Sequence, residues 1–157
     1  MTIRIAMWSG PRNISTAMMR SFENRSDTVV VDEPFYAAYL AATGLDHPMR
    51  EEVLASQSQD WATVAADMAA ATPAPVFYQK HMTHHMLPGV DLSWTAHCVN
   101  AFLIRDPAKG RSADCRKRGD GTLADIGVER QVELFDRECD RLGRAPPVVE
   151  VADVLAA

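Results

Sequence analysis

The sequence has few cysteines and no long apolar run, and both shortages narrow what the protein can be. Its three cysteines, Cys98, Cys115 and Cys139, have no C-x-x-C spacing, which favours reduced thiols over a disulfide framework. No apolar stretch approaches the roughly 20 residues that a membrane span requires, and we identify no secretory leader. We therefore expect a cytoplasmic protein that makes no membrane contact.

The chain also has fewer positively than negatively charged residues. The chain has 16 lysines and arginines against 21 aspartates and glutamates, a net charge of -5, so no global basic field is present to gather nucleic acid. We expect no nucleic-acid partner, and a polyanionic acceptor would have to be attracted locally. The 157 residues, 47% of them hydrophobic, are enough for one core and too few for two full domains, so we expect a single domain over residues 1–157.

A change of pattern near the start of the chain is the most informative feature present. Ile3, Ile5, Met7 and Trp8 form a short apolar run typical of a buried parallel strand, and Ile14, Ala17, Met18 and Phe22 recur at helical spacing. A strand that turns directly into a helix leaves the helix's first N–H groups unpaired and facing the turn. The turn therefore suits an anion, although ordinary turn and N-cap chemistry explains the same residues.

The residues of this turn carry further donors for an anion. Arg12 adds a fixed positive charge, and Ser15 and Thr16 add hydroxyl groups in the first helical turn. The nucleotide-triphosphatase pattern G-x-x-x-x-G-K-[ST] is not matched. The run Pro11-Arg12-Asn13-Ile14-Ser15-Thr16 instead resembles the loop by which sulfotransferases hold the 5′-phosphosulfate of 3′-phosphoadenosine 5′-phosphosulfate, with Arg12 in place of the usual lysine. The resemblance implies donor contacts along Gly10, Pro11, Arg12, Asn13, Ile14, Ser15 and Thr16.

The rest of the chain alternates between strand and helix patterns. Strands are predicted at Thr28–Val31, Pro75–Lys80, Cys98–Ile104 and Pro146–Val151, and helices at Pro48–Ser56, Asp60–Ala71 and Thr122–Leu142, the last closed by Gly143. This order predicts an α/β protein, a three-layer αβα arrangement with a mainly parallel sheet of about five strands. The resemblance adds that the fold is of the P-loop nucleoside triphosphate hydrolase type, shortened at the C-terminus.

Asp32 and Glu33 directly follow the second predicted strand. That places them at the carboxyl edge of the sheet, where open α/β sheets bind ligands. The alternative is that Pro34 begins a helix whose positive end favours the two acids. In bacterial small-molecule and sulfolipid sulfotransferases a glutamate in a similar stretch acts as base. The resemblance therefore implies that Glu33 takes the proton from the acceptor hydroxyl.

Three histidines, His81, His84 and His85, follow Lys80 and the third predicted strand. A zinc site needs three or four converging ligands, and no acid or thiol lies nearby in the sequence to complete one, so we expect no metal. The segment resembles the sulfotransferase segment whose lysine and histidine face the transferring group. In that interpretation Lys80 offsets charge on the bridging or equatorial oxygens, and His81 is a second candidate base. We expect His84 and His85 at the surface or at a helix cap.

Arg105-Asp106-Pro107 ends the fourth predicted strand. Arg105 can pair simply with Asp106 or with a helix carboxylate. In sulfotransferases an arginine at this point begins the segment that grips the 3′-phosphate, and a serine eight residues later completes it. Here that position is Ala113 and the nearest serine is Ser112, so either the backbone shifts to bring Ser112 to the ligand or the grip is weaker.

The resemblance implies a reaction in which an acceptor oxygen or nitrogen attacks sulfur and adenosine 3′,5′-bisphosphate leaves. Glu33 or His81 would take a proton, Arg12 and Lys80 would stabilise the leaving oxygen, and no metal is required. Residues 37–72, a helical insertion, are expected near the pocket of the small-molecule acceptor.

Two alternatives remain open. The chain ends before the Gly-rich segment that closes over the bisphosphate in other members, which allows a catalytically impaired binding or assembly module that a homodimer would complete. A small P-loop kinase is disfavoured by the missing Gly-Lys pair.

Overall fold

The computed structural model describes residues 1–106 and 127–157. Within these ranges the chain forms five strands: β1 Ile3–Ser9, β2 Thr28–Asp32, β3 Val76–Met82, β4 Val99–Ile104 and β5 Val148–Glu150. Every pairing among them is parallel, and the strand order is β2-β3-β1-β4-β5. The predicted α/β fold with a parallel sheet is confirmed. Because β1 lies in the middle, the turn that follows it lies at the centre of the sheet's carboxyl edge.

Helices lie on both faces of this sheet. The described helices are α1 Ser15–Glu23, α2 Tyr36–Thr43, α3 Arg50–Ser56, α4 Trp61–Ala69, α5 Val128–Leu142 and α6 Val151–Ala156. Met19 of α1 and Val151 of α6 pack in one core cluster, whereas Val64 of α4 and Leu134 of α5 pack in the other. The three-layer arrangement follows from these two clusters. None of the helices in the two described ranges has the length and apolar character to cross a membrane.

The two clusters arise because successive strand residues point to opposite faces. Met7 and Tyr78 belong to the cluster under α1, whereas Trp8 and Phe102 belong to the cluster under α4 and α5. The second cluster contains a polar link, because the Trp8 indole Nε1 donates a 2.9 Å hydrogen bond to Asn100 Oδ1. Both side chains are buried. The bond therefore joins β1 to β4 across the core.

Several predicted boundaries shift by one or two residues. The third strand was predicted to end at Lys80 but runs on to Met82, so His81 lies inside the strand. In the alternative considered above Pro34 begins a helix, but α2 begins at Tyr36. Asp60, the first residue of the predicted helix Asp60–Ala71, is the N-cap of α4, and its carboxylate accepts a 2.9 Å hydrogen bond from the Thr63 amide. Of the predicted helix Thr122–Leu142, the first part, residues 122–126, lies outside the described residues.

Candidate active site

The turn between β1 and α1 lies at the centre of the candidate site. Ile14 occupies the N-cap of α1, and its apolar side chain accepts no hydrogen bond there, so within the described residues the N-cap position offers no acceptor to the first-turn N–H groups. Ser15 is buried and Thr16 is exposed in that first turn. Arg12 has a φ of 60°, the left-handed region that a residue with a side chain occupies only when its surroundings hold it there.

Side chains from the far half of the chain hold this turn. The Asn13 amide Nδ2 donates a 3.3 Å hydrogen bond to the Leu103 carbonyl at the end of β4. The Gln131 side chain of α5 donates to the same carbonyl at 3.0 Å and to the Trp8 carbonyl at 3.3 Å. Arg105 Nη1 donates to the Arg12 carbonyl at 2.9 Å. The turn is therefore tied to the end of β4, and α5 is tied to β1 and β4 next to it.

A cavity of about 390 Å³ opens beside this turn, on the side of β4, β5 and α5. Its apolar walls are Pro11, Phe102, Ile104, Val128, Val132, Phe135 and Val148, and its polar walls are Asn13, Arg105, Asp106 and Gln131. The oxygen Oδ1 of Asn13 is buried and has no hydrogen-bond partner within the described part of the chain. The cavity thus combines an apolar interior with the Arg105 guanidinium and the polar side chains of Asn13 and Gln131 at one end.

An ion cluster lies on the other side of the turn, at the ends of β2 and β3. The parallel register pairs Asp32 with Lys80, and Lys80 Nζ lies 2.8 Å from both Asp32 Oδ1 and Glu33 Oε1. Burial alone disfavours the ammonium, but the hydrogen bonds and charges of the two carboxylates outweigh burial and raise the pKa of Lys80. Lys80 is therefore a fixed positive charge with two anionic partners.

The two carboxylates of this cluster differ in their surroundings. The Asp32 side chain is 49% exposed, whereas that of Glu33 is 22% exposed. Glu33 has a φ of 45°, and its amide donates a 3.0 Å hydrogen bond to the Lys80 carbonyl. Glu33 is thus held in the left-handed region at the end of the strand, with its carboxylate directed to the Lys80 ammonium.

The structure separates His81 from this cluster. Adjacent residues of a strand face opposite sides, and the His81 ring stacks on Trp8 with ring centres 4.6 Å apart, inside the core below α4. Its Nε2 lies 3.1 Å from Gln79 Oε1. Complete burial lowers the pKa of His81 to about 3. This position does not suit the role of second base, because the ring faces away from Lys80.

His85 also differs from expectation, whereas His84 is half-buried. His85 is buried. Its ring stacks on Tyr36 and contacts Tyr39 in a tilted arrangement, with ring centres 4.8 Å apart in each case, so its expected place at the surface is wrong. Burial, reinforced by the charges of neighbouring groups, lowers the pKa of His85 well below the usual range. Among the described residues, no group of three or more His, Cys, Asp or Glu side chains is arranged to hold a metal ion.

Some sequence-predicted residues lie outside the described ranges. Ser112 and Ala113, on which the expected 3′-phosphate segment depends, belong to residues 107–126, as does Cys115. Other contacts were missed by the sequence argument, namely the ion pair from Asp32 to Lys80 and the hydrogen bonds from Gln131. The ion pair of Asp32 with Lys80 could have been suspected from the sequence, because Asp32 directly precedes Glu33 at the end of the same predicted strand. Nothing in the local pattern of α5 distinguishes Gln131 from its exposed polar neighbours.

The order of the strands and the turn after the central strand define the class of the protein as a P-loop-like α/β fold. A solved structure of this class, shikimate kinase from Bacteroides thetaiotaomicron, matches the chain with a TM-score of 0.51 over 95% of this chain and 86% of that one. The sequences are 11% identical, so the similarity shows the fold alone.

A family model resolves the class further. The model of the sulfotransferase domain matches residues 3–155, and the chain therefore belongs to the sulfotransferase domain family. It is also similar to two Arabidopsis thaliana proteins, branched-chain-amino-acid aminotransferase-like proteins 1 and 2, with 32% identity over 151 residues and 30% over 152. These matches cover 96% of this chain but 27% of each relative, so the chain spans little more than a quarter of their length.

Proposed function

We propose that the chain is a sulfotransferase that moves a sulfuryl group from 3′-phosphoadenosine 5′-phosphosulfate to a hydroxyl or amine of a small-molecule acceptor. The observation that carries the proposal is the arrangement around the turn Gly10–Ile14. Uncapped N–H groups of α1 lie behind it, the cavity lies on one side, and the ion pair of Lys80 and Glu33 lies on the other. A nucleotide donor and an acceptor can therefore approach the turn from opposite sides.

The residues of the turn and cavity fit such a donor. Backbone amides at a helix N-terminus, together with a guanidinium, are groups that bind a phosphate or sulfate, and in this proposal Arg12 supplies the guanidinium. The cavity volume of about 390 Å³ lies in the range of roughly 300–1,000 Å³ that small-ligand sites occupy. When bound, the donor supplies the sulfuryl group and leaves as adenosine 3′,5′-bisphosphate.

The residues of the ion cluster supply the acceptor chemistry. Glu33 takes the proton of the acceptor hydroxyl or amine while the acceptor atom forms its bond to sulfur and the sulfur–oxygen bond to the bisphosphate breaks. Lys80 and Arg12 stabilise the negative charge that collects on the leaving oxygen. Asp32 keeps a counter-charge on Lys80 when Glu33 is protonated. Placement and fixed charges account for the reaction, and no covalent intermediate on the protein is needed.

The helices between β2 and β3 supply the acceptor's surroundings in this proposal. Tyr36 opens α2 three residues after Glu33, its amide donating to the Glu33 carbonyl at 3.0 Å. Its hydroxyl lies 2.5 Å from Nδ1 of His47, which lies in the loop before α3. Acceptor choice would therefore depend on α2, α3 and the loop between them.

Isothermal titration calorimetry with adenosine 3′,5′-bisphosphate tests the nucleotide role. We expect binding, and we expect Arg12→Ala to weaken it by about tenfold or more, because a charge-assisted contact to the ligand is lost. Arg25→Ala is the matched control, since Arg25 pairs with Asp27 before β2, at the opposite edge of the sheet. Absence of binding at millimolar ligand would reject the proposal. Tighter binding of Mg-ATP than of the bisphosphate would favour the small P-loop kinase instead.

A further inference from the structure

A backbone carbonyl in the turn depends on a side chain far along the chain. Arg12 is held in the left-handed region, with a φ of 60°, and its carbonyl accepts a 2.9 Å hydrogen bond from Nη1 of Arg105, 93 residues later. A hydrogen bond from a charged donor is among the stronger kinds in proteins. Arg105 therefore helps to determine the backbone shape of the turn.

The neighbouring turn residue is tied to the same strand end. Asn13 Nδ2 donates to the Leu103 carbonyl at 3.3 Å, two residues before Arg105. Two consecutive residues of the turn are thus bonded to the last residues of β4 and the residue that follows it. A displacement at the end of β4 would therefore also move the backbone N–H groups of the turn, which in the proposed function bind the anion.

Arg105 also forms part of the cavity wall, together with Pro11 and Asn13. A guanidinium carries five N–H donors in one rigid plane, so donation of one of them to the Arg12 carbonyl leaves further donors for a ligand in the cavity. A phosphate that binds to those donors would contact the same rigid group that holds the turn.

We propose that Arg105 is a positioning residue that couples the two anionic ends of the donor. Through the Arg12 carbonyl it shapes the turn for the 5′-phosphosulfate, while its remaining donors make the 3′-phosphate contact that the family resemblance already implies. The inference rests on the proposed function. The new element is that Arg105 also affects binding at the 5′ end of the ligand. A residue that only contacted the 3′-phosphate would have no such effect.

Two ligands separate these roles by calorimetry, adenosine 3′,5′-bisphosphate and adenosine 5′-monophosphate, which lacks the 3′-phosphate. We expect Arg105→Ala to weaken the bisphosphate by about 100-fold and the monophosphate by about tenfold. Arg105→Lys keeps the charge but loses the planar fork, so the monophosphate should again lose about tenfold. Arg25→Ala should leave both affinities within about twofold. Monophosphate affinity unchanged in Arg105→Ala would overturn the inference.

A double-mutant cycle separates positioning from general damage to the fold. Glycine adopts a φ of 60° without a hydrogen bond to hold it there. In an Arg12→Gly background, the loss of bisphosphate affinity that Arg105→Ala causes should therefore be about tenfold smaller. Equal losses in both backgrounds would contradict the coupling. If the unaltered protein binds the bisphosphate but the cycle shows no coupling, this inference alone fails. If it binds neither ligand, the proposed function fails as well.

Discussion

Lys80 is the residue on which the charges of the site depend. Its side chain is 4% exposed and contacts two carboxylates at 2.8 Å, and a buried ammonium is tolerated when it is paired in this way. Asp32 and Glu33 both contact Lys80. When Glu33 takes a proton in the proposed reaction, Lys80 therefore still has Asp32 as a charged partner. The cluster can therefore change protonation without leaving an isolated buried charge.

The balance at Lys80 can be tested directly. Burial lowers the lysine pKa and the two carboxylates raise it, so in the double variant Asp32→Asn, Glu33→Gln burial should prevail and bring the pKa of Lys80 below its ordinary value. Carbon-13 NMR of labelled lysine side chains, followed with pH, measures this. If Lys80 had the same pKa in the double variant as in the parent protein, the two carboxylates would not be what keeps its ammonium charged.

Glu33 should be needed for turnover but not for nucleotide binding. We expect Glu33→Gln to lower sulfuryl transfer by about 10²- to 10⁴-fold, the usual contribution of a general base. Affinity for adenosine 3′,5′-bisphosphate should remain within about twofold in the same variant. The assay follows transfer or release of labelled sulfate from the donor. Glu23→Gln is the matched control, because Glu23 is exposed at the C-terminal end of α1, at the opposite edge of the sheet. Full turnover in Glu33→Gln would remove Glu33 as the base.

His81 should make stability depend on pH. Its folded-state pKa is lowered to about 3 from 6.5, so the unfolded chain binds more protons between these values and stability falls as pH drops through that window. Between pH 7 and pH 5 the expected loss from His81 is about 2 kcal/mol. His81→Phe should reduce the pH dependence of urea unfolding by that amount. An unchanged pH dependence would mean that the His81 ring is not buried uncharged.

At the scale of single elements, β3 shows where sequence reasoning fails. The run from Val76 to Lys80 predicts a strand correctly, but Gln79, Lys80 and His81 are all polar, so no alternation shows which side chains face the core. Because β3 extends two residues beyond the predicted end at Lys80, His81 and Met82 belong to the strand and lie on opposite faces of the sheet. A histidine assumed to follow the strand is consequently found under α4.

The first turn of α5 is held against the end of β3. Gly127 has a φ of 71°, and its carbonyl accepts a 2.9 Å hydrogen bond from Thr83 Oγ1. A Cβ added at Gly127 would overlap that hydroxyl and press on the His84 amide. The close approach brings Gln131, on the same turn of α5, to the carbonyls of β1 and β4.

The two ends of α5 provide a matched pair of substitutions. Gly127 and Gly143 both have positive φ, but a Cβ at Gly143 meets nothing within 4 Å. We expect Gly143→Ala to cost about 1 kcal/mol from backbone strain alone, and Gly127→Ala to cost about 1–3 kcal/mol more from the overlap. Urea unfolding of the two variants measures the difference. Equal costs would show that α5 does not approach Thr83 as described.

At the scale of the whole molecule, the sheet and the central turn could be predicted from the sequence, because buried strands and a strand-to-helix turn leave local patterns. Glu33 and Lys80 could also be placed at one edge, since both lie at the ends of parallel strands. The bond from Arg105 to Arg12 could not, because it joins residues 93 positions apart and depends on a strand order that the sequence pattern does not state. The apolar cavity was missed for the same reason.

Ligand binding should stabilise the whole molecule. At a bisphosphate concentration about 100 times the dissociation constant, linkage contributes about 2.7 kcal/mol, which corresponds to a rise of roughly 5–10 °C in Tm for a chain of this size. Differential scanning calorimetry measures the shift. The same concentration of adenosine, which has no phosphate, should give a much smaller rise, and equal shifts would show that the phosphates contribute little.

The proposed function requires that the backbone amides of the turn after β1 bind a doubly charged group. Titration of a nitrogen-15-labelled sample with adenosine 3′,5′-bisphosphate measures this at each amide. We expect the amide signals of Gly10 and of residues 13–16 to shift most and to saturate together, and we expect the pattern to weaken in Arg12→Ala. Saturable shifts confined to other parts of the chain, with the turn unchanged, would contradict it.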